Sequence, residues 1–169
     1  MRVQAVDRMP ASTVELAATL ADAGAGRAMQ NFLSVIGSED SLFRVDDLKA
    51  APLAGSPEQN GCYSGDIVLG LRSREQARDR SLHFVLLEKV TELLKAAGSQ
   101  ESLTATLCLS ATSQSGSKQE GLALWLRLEA TGESLDQAGL RWSLGLAHVQ
   151  QALLFASRYL RHHLTQGHS

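Results

Sequence analysis

The sequence predicts an α+β domain in which an antiparallel sheet is packed by a middle helix and a long C-terminal helix, with further helices at the N-terminus. Three observations carry that prediction. Between Glu133 and Gln166 apolar side chains recur at Leu135, Ala138, Trp142, Leu146, Val149, Leu153, Ala156, Leu160 and Leu164, in steps of three and four, which is helical period. From Leu103 to Leu109, and again from Leu122 to Glu129, apolar residues alternate with small or polar ones, the period of a half-buried strand. The segments follow in the order helices, strands, helix, hairpin, long helix, with no internal repeat.

Taken in order, residues 1–11 are mixed in character and are expected to be loose. Ser12-Thr13-Val14-Glu15 is a capping-box pattern that opens a helix from Ala11 to Ala23, broken by Gly24 and Gly26. Arg27 to Ile36, with Met29, Phe32, Leu33 and Ile36, reads as a second short helix stopped by Gly37; one kinked helix fits the pattern equally. Leu42–Val45 reads as a short edge strand. Pro52, Gly55, Ser56, Pro57, Asn60 and Gly61 mark a flexible loop near 50–61. Tyr63 to Leu71 alternates as a strand. Arg74 to Ala97 is helical, with Leu82, Leu86, Val90 and Leu93 on one stripe, Phe84, Leu87 and Leu94 widening it, and Gly98 as its cap. The Ser-, Gln- and Gly-rich loop from Ser110 to Gly121 joins two alternating runs, most economically as an antiparallel hairpin.

The last helix opens with Ser134 as N-cap and Gln137 three residues on, and its final turns carry Arg158, Arg161, His162 and His163, where cations suit the dipole. A second stripe of Leu140, Leu144, Leu154 and Phe155 lies beside the first. One face of this helix can cover a sheet; the other needs a second partner.

Composition narrows the classes. A chain of 169 residues suffices for a single domain over 1–169 burying roughly two-thirds of its unfolded surface. The net charge of -2 argues against a nucleic-acid or anionic-membrane partner, which calls for a basic face. No run of about 20 apolar residues offers a membrane span, and charges interrupt Met1–Arg8 before a signal core forms. Cys62 and Cys108 stand isolated, so no disulfide framework is expected and the cytoplasm is the expected compartment.

Chemistry-bearing residues are sparse, and no catalytic residue, metal or cofactor is expected. His162 and His163 point about 100° apart on a helix and have no further ligand at metal spacing, so they read as helix-end cations; His83 and His148 read as surface or boundary histidines. Ser115-Gly116-Ser117-Lys118 matches a Ser-x-x-Lys pattern but sits in a hairpin loop rather than opening a helix. Arg72, Arg74, Arg78 and Arg80 are interleaved with Glu75 and Asp79, the composition of a solvated helix face. Trp125 points away from Leu122, Leu124, Leu126 and Leu128, beside Ala123 and Arg127. Either a helix or the N-terminal segment covers it, or it is a platform for a partner chain.

From Ser81 to Leu164 the order is apolar helix, alternating strand, polar loop, a strand carrying Leu124-Trp125-Leu126-Arg127-Leu128, a short turn, and a long helix with Leu153, Ala156 and Tyr159-Leu160. This resembles the C-terminal half of the small dimeric chaperones of type III secretion systems, the class I, Tir-chaperone-like group. The resemblance implies a homodimer formed through the stripe Leu82, Leu86, Val90 and Leu93. It also implies a strand surface at Trp125, Ala123 and Arg127 that holds an extended segment of a secreted partner, without ATP or catalysis. Two other readings remain open: a structural or assembly subunit of a phage- or secretion-type machine, and a small-ligand or catalytic domain with a pocket between sheet and C-terminal helix.

Overall fold

Period-two alternation buries one side of a sheet, and the computed structural model builds the fold on that side. It describes residues 1–9, 23–38, 41–52, 61–98, 101–113 and 120–166. The elements are β1 (Arg2–Ala5), α1 (Ala23–Ile36), β2 (Phe43–Pro52), β3 (Cys62–Leu71), α2 (Arg74–Arg78), α3 (Arg80–Ala96), β4 (Leu103–Ser113), β5 (Glu120–Thr131) and α4 (Leu135–Gln166). The fold is α+β. The five strands lie in the order β1-β4-β5-β3-β2.

The expected hairpin is β4 and β5, paired from Leu103↔Ala130 to Ser113↔Glu120. Both strands outrun their apolar alternation, because ladder hydrogen bonds need backbone groups rather than apolar side chains. Pairs β3–β5 and β2–β3 are also antiparallel. The sheet is nevertheless mixed, not purely antiparallel. Arg2–Ala5, expected to be loose, joins β4 in parallel, and Val6 continues the contact by donating its N–H to Leu107 O at 2.8 Å. Edge strand β2 runs well past Val45, with a register shift between Val45 and Asp47, and ends at Pro52. A bulge and a terminal proline both suit an edge strand, which needs to offer hydrogen bonds on one side only.

Two helix boundaries also differ from expectation. The 74–97 helix is split at Asp79, whose backbone is extended (φ -82°, ψ 102°) and whose side chain accepts from Leu82 N at 3.1 Å. An aspartate that caps a new helix start competes with continuing the old one. Gly24 and Gly26, expected to break a helix, lie within the first turn of α1. The first N–H groups of a helix have no intrahelical acceptor there in any case. The predicted helix Ala11–Ala23 falls almost wholly outside the described residues, as do most of the 50–61 loop and the tip of the hairpin.

The core lies between the leucine side of the sheet and the helices. Ile67, Leu69, Leu107, Leu126 and Leu128 meet Leu86, Val90 and Leu94 of α3, Val149, Leu153 and Leu160 of α4, and Phe32 and Ile36 of α1. Close approach of α4 depends on small residues. A Cβ at Gly145 would already lie 3.1–3.2 Å from Leu103 and Leu128. At Gly65 the indole of Trp142 occupies the space a side chain would fill, while its Nε1 donates to Leu128 O at 2.8 Å and its ring meets Tyr63 at 5.3 Å. Arg72 is exposed, as expected of a solvated face, and also donates to Phe43 O and Ile36 O, tying the end of α1 to β2. Among the described residues no helix is long and apolar enough to cross a membrane.

Candidate functional site

The second side of the sheet carries the residues singled out around Trp125. Register places Asp66, Arg127 and Thr106 in one row across β3, β5 and β4, and Val68, Trp125 and Cys108 in the next. Arg127 is 7% exposed and forks onto Asp66, with Nε 2.7 Å from Oδ1 and Nη2 3.2 Å from Oδ2. That hydrogen bond and the carboxylate charges of Asp66 and Glu129 raise the Arg127 pKa, against the opposing effect of burial. Ala123 is buried. Trp125 is half-buried, and Asp7, Arg8 and Met9 line a cavity of about 230 Å³ together with it and Cys108. The N-terminal segment thus lies near Trp125 without burying it fully. Of the three residues expected to meet a partner, Trp125 alone keeps a substantially accessible side chain.

The stripe expected to form a dimer is spent within the protomer. Leu82, Leu86 and Val90 are buried in the core and Leu93 is half-buried, so that side of α3 faces its own sheet and α4. His83, expected at the surface or a boundary, is buried, with Nδ1 2.7 Å from Asp79 O and Nε2 without a hydrogen-bond partner among the described residues. Arg74, Arg78 and Arg80 are exposed, as a solvated face requires, and so is His162, while His148 is half-buried. Cys62 is half-buried, and its thiol pKa is raised by burial and by the carboxylate of Glu129. The Ser115–Lys118 pattern lies outside the described residues. Among the described residues no group of three His, Cys, Asp or Glu is placed to hold a metal ion.

What remains accessible follows from which side of α3 the sheet takes. With Leu82, Leu86, Val90 and Leu94 turned inward, Phe84, Leu87, Glu88, Thr91, Glu92 and Lys95 line an outer cleft of about 480 Å³ closed on one side by Ala5 of β1. Phe84 is 53% exposed in it. Thr91 donates its hydroxyl to Leu87 O at 2.6 Å, so that polar group is already satisfied within the helix. Strand β1 is the edge of the sheet, and among the described residues nothing pairs with its outer side. An unpaired strand edge next to an apolar cleft can accept backbone hydrogen bonding and a side chain at once. The sequence signalled Phe84 and Leu87 as apolar helix residues; β1 carried no signal that would have placed them beside an edge. Comparisons with family models, curated proteins and solved structures give no match to this chain.

Proposed function

We propose that this is a non-catalytic, cytosolic protein-binding domain that holds an extended segment of a partner protein against β1 and the outer face of α3. The single observation behind this reading is the apolar cleft of about 480 Å³ beside a sheet edge that none of the described residues pairs with. An added strand would satisfy the outward N–H and C=O groups of β1. Every second side chain of that strand would then turn towards Phe84 and Leu87. Glu88 and Glu92 outnumber Lys95 at the cleft, which favours a segment with a basic residue beside its apolar anchor. This keeps the chaperone-like role suggested by element order and moves the binding surface from Trp125 to the sheet edge.

Selection from a displayed library of random peptides tests the reading. Wild type is expected to enrich peptides with apolar residues at alternate positions, and Phe84→Asp to lose them while keeping its fold. No enrichment, or the same consensus on Phe84→Asp, would sink the proposal. The cleft volume also falls within the range of small-molecule sites. A small molecule retained by the purified protein in native mass spectrometry, and lost in Phe84→Asp, would favour the ligand-binding alternative.

A further inference from the structure

Helix α4 carries a second apolar face that stands exposed, covered by none of the described residues. Its core side is Ala138, Trp142, Val149, Leu153, Ala156 and Leu160, all buried. At about 100° per residue, Leu140, Leu144, Ala147, Gln151 and Phe155 fall on the opposite side of the helix. All five are exposed, Leu140 to 67% and Phe155 to 49%. Their spacing is four, three, four and four, close to the heptad rhythm of helix–helix seams, over a ridge of about 22 Å.

The ends of the helix decide what fits the ridge. Exposed Glu133 and Asp136 stand at its N-terminal end, and exposed Arg158, Arg161 and His162 near its C-terminal end. A ridge flanked by acid at one end and base at the other is complementary to itself when reversed. We infer that a second copy of this chain docks there, α4 against α4, antiparallel about a twofold axis near Ala147 and His148. Leu140 then faces Phe155 of the second copy, and Leu144 faces its Gln151. Each acidic first turn meets the other copy's basic last turns, and the two helix dipoles oppose. A parallel pairing would set like charges side by side. Gln151 is the one polar group on the ridge and weakens the seam. The contact is small against the roughly 1,200 Å² that stable interfaces bury, so the dimer forms only at elevated concentration. The inference does not depend on the cleft beside β1.

Sedimentation velocity from about 1 to about 500 µM tests it. The wild-type mass should rise from 18.1 kDa towards twice that value. Leu140→Glu/Leu144→Glu should stay monomeric throughout with an unchanged circular dichroism spectrum, since both side chains are exposed. Gln151→Leu should dimerise at concentrations about tenfold lower. Arg158→Glu should weaken the dimer, and Asp136→Arg/Arg158→Glu should restore it. Phe84→Asp should leave the mass profile as in wild type. A wild type that stays monomeric, a dimer indifferent to Leu140→Glu/Leu144→Glu, a charge reversal that restores nothing, or a dimer lost in Phe84→Asp would each overturn the inference.

Discussion

Replacing Arg127 by Met tests whether the second side of the sheet is a clamp or a binding surface. Arg127 and Asp66 are side by side across β5 and β3, joined by two hydrogen bonds of 2.7 and 3.2 Å. Their side chains are 8% and 20% exposed. Removing one member of a fully buried pair costs about 3–5 kcal/mol, largely because the other charge is left without compensation. Asp66 keeps some contact with solvent, which brings the expected loss for Arg127→Met to about 2–3 kcal/mol. Methionine keeps much of the aliphatic stem, so little of that loss is packing. In Arg127→Met/Asp66→Leu no charge is stranded, and stability should return to within about 1 kcal/mol of wild type. Urea unfolding with a constant m-value reads all three differences. If Arg127→Met stays within about 0.5 kcal/mol of wild type, or the double variant loses the sum of the two single losses, the clamp reasoning fails and Arg127 returns as a candidate binding residue.

Two further outcomes follow from the geometry. Adding a methyl group at Gly65 should cost about 3 kcal/mol and disturb the fluorescence of Trp142, because the new Cβ would fall on the indole ring that α4 lays over the sheet; a melting temperature of Gly65→Ala within about 2 °C of wild type would contradict that packing. Cys62 should react with iodoacetamide more slowly than a free thiol, and Glu129→Gln should speed it, since burial and the Glu129 charge both disfavour the thiolate. The sign of the stability effect is fixed by linkage. Folded Cys62 keeps its proton where the unfolded thiol has lost it, so its contribution is intact below about pH 8.5 and declines as the pH rises further. Cys62→Ser should flatten that decline in urea titrations, and an unchanged slope would contradict it.

Much of this architecture is legible in the residues because burial on one side leaves a period. Tyr63–Leu71, Leu103–Leu109 and Leu122–Glu129 alternate since one side of the sheet meets the described helices α1, α3 and α4. Strand β1 leaves no such trace. Its four residues, Arg-Val-Gln-Ala, bury little, and their place comes from backbone pairing with β4. The orientation of α3 was equally hidden. Leu82, Leu86 and Val90 and the group Phe84, Leu87 and Thr91 occupy neighbouring sectors of one helix, and only packing against the sheet decides which is core and which is surface. Periodicity found the apolar residues of α3 but could not tell the inner stripe from the cleft. On α4 the second stripe is legible in part: Leu140, Leu144 and Phe155 are exposed, whereas Leu154, expected beside them, is half-buried against the core.

Single exposed leucines are ordinary on a protein surface and call for no explanation. The α4 ridge differs because its members follow helical period opposite a complete core face, at positions where Glu or Lys would serve helix formation as well and solubility better. The ridge and the cleft are also separate surfaces. Lys89 of α3 stacks over Tyr159 of α4 at 4.4 Å, closing the seam between the two helices at that point. A partner in the cleft would contact the outer side of α3 and the edge of β1, while a second copy docked as inferred would contact the outer side of α4. Antiparallel pairing would then leave one cleft open on each protomer. A dimer of that kind presents two equivalent segment-binding sites, and a partner with two suitable segments would be held more tightly than either segment alone.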